Sequence, residues 1–134
     1  MDVYPKPKPV VAPEHLPDNV HRYYMQAADS VRRQSFDAGG VMCRKAIDAA
    51  IRETGGDSKE TLERRIDALA ASQAITPTMR DWAHEVRLGG NEAAHEETPF
   101  DGDQAQELLS FTEMFLIYLF TLPEMLAARR RKRR

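Results

Sequence analysis

The spacing of apolar residues is the feature that most constrains the fold of this 134-residue chain. Along most of the chain apolar side chains recur at steps of three and four, which places them on one face of a helix. No stretch alternates with a period of two for long enough to predict a strand. The sequence therefore predicts an all-α bundle of five or six helices, whose first apolar face is formed by Val20, Tyr23, Tyr24, Ala27, Ala28 and Val31.

Capping and helix-ending residues set the bounds of the first three helices. Asp18 follows Pro17 and is expected to cap the first helix, because its carboxylate can accept the free N–H groups of the first turn. The second helix is predicted to begin near Ser35 or Asp37 and to end at Gly55-Gly56. A third covers about residues 59–72. The apolar faces of the second and third helices are Cys43, Ala46, Ile47, Ala50 and Ile51, then Leu62, Ile66 and Leu69.

The fourth helix has a clear beginning and an expected interruption. Thr76 is predicted to cap it, with Pro77 at its first position, where the missing N–H has no helical partner to lose. Met79, Trp82, Ala83 and Val86 form its apolar face. We expect the pair Gly89-Gly90 to break it.

The last long helix is apolar on nearly all sides. It is predicted to begin near Asp101 or Asp103, and Pro123 is predicted to open a short terminal helix. A helix without a wide polar face must be covered on several sides, so it either lies at the centre of the bundle or packs against a second copy. Its longest apolar run, Met114–Leu122, is too short for a bilayer, and we expect no membrane partner.

Both ends of the chain differ in composition from the body. Five of the eight prolines lie in the first 17 residues, which favours an extended backbone over helix. The sequence thus predicts a Pro-rich arm at residues 1–16, a helical domain at 17–128 and a basic tail at 129–134. Such an arm is either a plain leader or a docking motif for an aromatic groove.

Charge is distributed unevenly along the chain. The whole chain carries −2, and its last six residues are all cationic, so residues 1–128 carry −8. An acidic body is a poor general binder of nucleic acid, and any contact with RNA, DNA or an acidic protein is expected at the tail. The alternative is a charged terminus without function. The tail residues are Arg129, Arg130, Arg131, Lys132, Arg133 and Arg134.

Cysteine and histidine usage argues against disulfides and metal sites. Cys43 is the one cysteine, which excludes an intrachain disulfide and a multi-cysteine zinc site, and with no recognisable leader it favours a cytoplasmic protein. The four histidines show no convergent spacing. We therefore expect no metal and no cofactor.

The segment from Arg87 to His95 contains the least ordinary set of residues. A break at the glycine pair would let Asn91 cap the next helix, with His95 one turn later on the same side. An imidazole can move a proton near neutral pH, and a guanidinium can stabilise charge on phosphate oxygens, so the set fits binding or cleavage of a phosphodiester. The structural alternative is that Asn91 caps, His95 hydrogen-bonds a buried carbonyl, and Arg87 pairs with a carboxylate.

Arg44 and Asp48 form a second candidate set. They lie four residues apart beside the apolar face of the second helix, where partial burial is expected. Arg44 could then bridge to the glycine-containing segment and hold it in place. We favour this structural role over a catalytic one; the alternative is a surface ion pair worth a few tenths of a kcal/mol.

Three stretches of the chain resemble the bacterial domain-of-unknown-function family numbered 4145. They are "VRLGGNEAAH", the sequence Cys43-Arg44-Lys45-Ala46 on an early helix, and the aromatic-rich "LLSFTEMFLIYLF" before a proline. The similarity extends over roughly residues 15–126. The family looks like a branch of the HEPN superfamily of all-helical domains, found with restriction, toxin–antitoxin and phage-defence systems.

This resemblance implies a HEPN-like bundle that dimerises through helices near the signature. In active HEPN members an arginine and a histidine cleave RNA without a metal, in a cleft shared by two protomers. Carried over, Arg87 would stabilise the phosphate, His95 would be the acid or base, Asn91 would position them, and Gly89 and Gly90 would shape the segment. Active members keep the pair closer than the seven intervening residues here, with a polar residue where this chain has Leu88.

Three functions are consistent with these features. The first is an RNA-directed defence or toxin domain, dimeric, that binds or cleaves RNA without metal through Arg87 and His95. The second is a noncatalytic dimerisation or docking module for a partner nuclease or sensor. The third is a sensor of nucleotides or small anions. The first is our leading expectation, with the second as its alternative.

Overall fold

The computed structural model describes residues 9–55, 59–93 and 100–133, and for residues 88–93 it describes the backbone alone. Within these ranges the chain is all-helical and contains no strand, as the apolar spacing predicts. The helices are α1 (Asp18–Arg32), α2 (Phe36–Glu53), α3 (Leu62–Ala71), α4 (Pro77–Ala93), α5 (Gly102–Leu116) and α6 (Leu122–Lys132).

Helices α5 and α6 are one continuous rod rather than two helices. A π-helical turn at Ile117–Thr121 joins them, and together they form the C-terminal helix, Gly102–Lys132. Pro123 lies in the first turn of α6, as predicted, although α6 follows α5 without a break in the helix. Proline removes a helical N–H and crowds the carbonyl four residues back, and a wider π turn directly before it relieves that crowding without ending the helix.

The first two helices form a helical hairpin with close contact near its turn. A Cβ added at Gly39 of α2 would lie 2.8 Å from Cγ2 of Val31 on α1, so glycine permits this approach. The apolar faces predicted for both helices are buried, except that Tyr23 is half-exposed. The N-cap of α1 is Pro17 and not Asp18, which is the first helical residue and places its charge at the positive end of the helix dipole.

The core lies where α5 meets α1, α2 and α4. Phe111 and Phe115 of α5 are fully buried, and the ring of Trp82 on α4 stacks on Phe111 with 4.2 Å between centroids. Aromatic pairs at this distance add to the stabilisation that their burial provides. Helix α5 begins with a capping box in which Asp101 accepts from the N–H of Gln104 and the Gln104 side chain accepts from the N–H of Asp101.

The described part of the Pro-rich arm runs along the body. Val10, Ala12 and Leu16 pack against the core, and the hydroxyl of Thr121 donates to the carbonyl of Glu14 over 2.8 Å. Residues 9–17 contain no helix, as the proline spacing predicts.

The C-terminal helix is long and apolar enough to cross a membrane by length and composition, and 28% of its most apolar stretch is buried in the fold. Core helices of soluble proteins meet the same two criteria. Only part of this helix is buried because none of the residues of α6 is buried against the rest of the chain.

Candidate functional site

Arg87 occupies a half-buried position because of its register on α4. The helix begins as predicted: Pro77 is its first residue, and the Met79 N–H donates to Oγ1 of Thr76 over 3.0 Å. Met79 and Ala83 are buried, and Arg87 lies one turn beyond Ala83 on the same side of the helix. This register places Arg87 at the edge of the buried face of α4.

The positive charge of Arg87 lowers the pKa of the Asp48 carboxyl group on α2. Burial raises the pKa of Asp48, and the positive charge of Arg87 opposes this rise more than any other group does. Arg52 and Arg44, one turn to either side of Asp48 on α2, oppose it as well. We refer to Arg44, Arg52 and Arg87 around Asp48 as the arginine cluster.

The cluster carries more positive than negative charge. Three arginines act on one carboxyl group, so the four side chains together carry a net charge of +2 when Asp48 is ionised. Arginine stays protonated in proteins, so this surplus persists at every physiological pH. An anion such as a phosphate would complete the charge balance of the site.

Arg44 contributes an unused hydrogen-bond donor. Its guanidinium carbon lies 5.5 Å from the centre of the Phe100 ring, and its Nε is buried without a hydrogen-bond partner in the part of the chain that the structure describes. Burial lowers the pKa of Arg44, while nearby Cys43 and Asp48 oppose that change. A buried N–H without an acceptor is uncommon in native proteins.

The segment after Arg87 does not bend as the sequence predicts. Helix α4 continues through Gly89, Gly90 and Asn91 to Ala93, so the expected break at the glycine pair is wrong. Each glycine disfavours helix by about 1 kcal/mol relative to alanine but has full access to helical backbone angles, and the rest of the helix outweighs this penalty. Asn91 therefore lies one turn beyond Arg87 on the same helix.

The other predicted site residues are His95, Arg44 and those of the basic tail. His95 lies outside the described residues. The Arg44 guanidinium lies over the Phe100 ring, and the expected bridge from Arg44 to the glycine segment stays a prediction because the side chains of residues 88–93 are outside what the structure describes. In the basic tail, residues 129–133 are exposed on the last turns of α6, and Arg131 pairs with Glu124 at 3.1 Å; Arg134 lies outside the described residues.

Arg52 is the cluster residue that sequence reasoning missed. It follows Asp48 by four residues, which is the favourable order for a helical acid–base pair, and that spacing was the available signal. Its participation with Arg87 depends on tertiary packing of α2 on α4, which local spacing does not reveal.

Two other reactive groups, Cys43 and Tyr24, are poorly suited to catalysis. Burial raises the pKa of the Cys43 thiol to about 11, which keeps it protonated and weakly nucleophilic at neutral pH. The Tyr24 hydroxyl donates to Oε2 of Glu113 over 2.8 Å, and burial raises its pKa. Among the side chains that the structure describes, no three His, Cys, Asp or Glu groups come together to hold a metal ion.

Comparison with known proteins identifies the family. No curated protein and no solved structure matches the chain. The profile of the family described as "Domain of unknown function (DUF4145)" matches residues 25–133, which include the whole arginine cluster and the C-terminal helix. The chain therefore belongs to the DUF4145 family.

Proposed function

We propose that the chain is a HEPN-like domain of a bacterial defence, restriction or toxin-type system, and that it binds RNA at the arginine cluster. The observation that carries the proposal is the placement of Arg87, within the family signature, beside Asp48 and two further arginines. The guanidinium of an arginine presents its N–H groups in a planar fork, which suits the paired oxygens of a phosphate.

We expect the RNA backbone to contact the chain at a few positions and not over its whole surface. Residues 1–128 carry −8, so most of the surface repels a polyanion, and the surplus of positive charge lies at the cluster and at the tail. We expect binding to weaken as salt rises, with a slope set by the few phosphates neutralised.

The catalytic form of the proposal assigns one role to each signature residue. Arg87 would stabilise charge on the phosphate as it develops, and His95 would take a proton from the 2′-hydroxyl or give one to the leaving oxygen. Asn91, one turn from Arg87, would position the phosphate between them. No metal ion takes part in this scheme.

The unbroken helix fits binding more directly than cleavage within one chain. Ala93 follows Arg87 by six positions along α4, a rise of about 9 Å along the axis. A reacting pair must hold its atoms within a few ångströms of the same phosphate. A second copy that supplies His95 across a shared cleft would meet this requirement.

A noncatalytic docking module is the second candidate function. It is favoured by four large apolar side chains that are half-exposed on the C-terminal helix, since exposed apolar patches mark interaction surfaces. In this role the arginine cluster would stabilise the packing of α2 on α4, and the apolar surface would bind a partner nuclease or sensor.

The test is incubation of the chain with labelled single-stranded RNA in EDTA, with wild type, Arg87→Gln and His95→Ala compared. We expect wild type to bind RNA with or without EDTA, and Arg87→Gln to bind about tenfold more weakly. The matched control is Arg33→Gln, which removes an exposed arginine paired with Asp29 at 3.1 Å, away from the cluster.

The outcomes separate the two functions. Cleavage in EDTA that His95→Ala abolishes without loss of folding supports the catalytic form, and binding without cleavage supports the RNA-binding form alone. Equal RNA affinity of wild type and Arg87→Gln contradicts both forms and leaves the docking module as the better account.

A further inference from the structure

Helix α6 carries a row of side chains that the rest of the chain leaves uncovered. None of its residues is buried, and its three large apolar residues are 47% to 53% exposed. These three and two arginines recur at steps of three and four, which places all five on one side of the helix. We call this set the α6 face; in chain order it consists of Leu122, Met125, Leu126, Arg129 and Arg133.

The two arginines of the α6 face have no acidic partner in the part of the chain that the structure describes. Both are exposed, and neither pairs with a described carboxylate. The carboxylate of Glu124 pairs with Arg131 at 3.1 Å, on the opposite side of the helix from Arg129 and Arg133. The α6 face therefore changes from apolar to cationic along its length and carries no negative charge.

We propose that the α6 face binds a helical segment of another protein, in which a row of apolar side chains adjoins a pair of carboxylates. The apolar row would pack on Leu122, Met125 and Leu126, as an amphipathic helix does on an apolar surface. The carboxylates would pair with Arg129 and Arg133, which gives the contact its charge complementarity. The proposal rests on the docking role of the C-terminal helix and does not require RNA binding.

The position of the cations distinguishes this partner from a lipid surface. A helix that lies on a bilayer buries its apolar side and keeps its cations on the other side. On α6 the arginines continue the apolar side, so contact with acyl chains would carry Arg129 toward the hydrocarbon, where a charge is costly. Residues 1–128 carry −8, which an anionic lipid surface would also repel.

The mixed character of the α6 face distinguishes the same partner from RNA and from a second copy of the chain. Phosphate oxygens would bind the two arginines and leave the apolar side chains of the face uncovered. A second α6 face would offer apolar side chains but no carboxylate. A helix that carries both kinds of group matches the whole face.

The first test titrates the full chain with two synthetic helical peptides, followed by calorimetry. Both peptides carry leucines on one side at steps of three and four; one continues that side with two glutamates and the other with two lysines. We expect wild type to bind the glutamate peptide at least tenfold more tightly than the lysine peptide, and Arg129→Glu/Arg133→Glu to reverse this preference.

The matched control is Arg131→Glu, which makes the same charge change on the opposite side of α6 and should keep the wild-type preference. A second pair of variants tests the apolar part. Leu122→Asp/Leu126→Asp should weaken binding of the glutamate peptide at least tenfold, whereas Val41→Asp, at an apolar residue 47% exposed on α2, should leave it unchanged. Circular dichroism checks that each variant keeps its helical content.

Three results would overturn the proposal: wild type that binds neither peptide, equal affinity for the two peptides, or the same effect of Arg131→Glu as of Arg129→Glu/Arg133→Glu. A wild-type dimer in sedimentation that the leucine variant dissociates would identify a second copy on the face instead. Co-sedimentation with phosphatidylserine vesicles, lost in the same variant, would identify a lipid surface. RNA binding is tested at Arg87 on α4, so its failure and the failure of this proposal are separate results.

Discussion

The Arg87 guanidinium on α4 acts on the Asp48 carboxyl on α2 more strongly than either arginine that neighbours Asp48 on its own helix. Burial has the largest effect on the Asp48 pKa, and among the charged groups the arginine on the other helix has a larger effect than those set by local spacing. This relationship connects the family signature on α4 to α2 in the helical core, and it can be measured directly.

Titration of Asp48 tests this relationship. Burial raises its pKa above the ordinary value of 3.8, and Arg87 limits the rise, so Arg87→Gln should raise the Asp48 pKa further. Carbon-detected NMR of the carboxyl carbon gives the value in each variant. Arg80→Gln is the control, because Arg80 pairs with the adjacent Asp81 at 3.1 Å and has no part in the Asp48 shift. A pKa unchanged by Arg87→Gln would show that the two groups do not interact.

The same shift fixes the sign of a pH effect on stability. Because the folded pKa of Asp48 is raised, its protonation favours the folded state: this contribution is complete below pH 3.8 and is lost as pH rises through the folded pKa. The free energy of unfolding of wild type, relative to that of Asp48→Asn, should therefore fall as pH rises from 3.8 through the folded pKa of Asp48. Urea denaturation at a series of pH values measures the difference, and a constant difference would contradict the assignment.

Local sequence patterns predicted the helices well because their causes are local. Apolar spacing located α1 to α4, and the hydroxyl of Thr76 caps α4 as its position before Pro77 indicates. The continuity of α4 through Gly89 was missed, since a glycine changes the local preference of a helix without deciding it.

The arginine cluster was predicted only in part. Arg87, Arg44 and Asp48 were found from the signature and from four-residue spacing, but the partnership of Arg87 with Asp48 depends on how α4 packs against α2. Sequence alone gave no measure of that packing. The same reason explains why the exposure of Met125 and Leu126 had to be read from the structure.

Close packing at Gly39 leads to a stability prediction that opposes helix propensity. Alanine in place of a glycine within a helix ordinarily stabilises by about 1 kcal/mol, but here its Cβ would lie 2.8 Å from Cγ2 of Val31, whose branched side chain has few alternative rotamers. We expect Gly39→Ala to destabilise by about 1–3 kcal/mol. Combined with Val31→Ala, it should destabilise by less than the sum of the two, as urea denaturation can measure. Simple additivity would exclude the clash.

Helix α3 ends with a glutamine in a conformation that favours glycine. Gln73 has a φ of 66°, and the N–H groups of Gln73 and Ala74 donate to the carbonyls of Ala70 and Leu69, as in a Schellman motif. Gln73→Gly should stabilise by about 0.5–1 kcal/mol because it removes the strain of the left-handed backbone. Gln26→Gly within α1 is the matched control and should destabilise by about 1 kcal/mol. Thermal unfolding compares them, and destabilisation by both would contradict this reading of Gln73.

RNA titration followed by NMR of the arginine Nε–Hε groups tests the central claim most directly, because it reports where RNA binds. The account predicts saturable shifts of the Arg44, Arg52 and Arg87 signals on addition of single-stranded RNA, and loss of the Arg44 and Arg52 shifts in Arg87→Gln. Shifts confined to the basic residues at 129–134, or no shifts at any arginine, would contradict it.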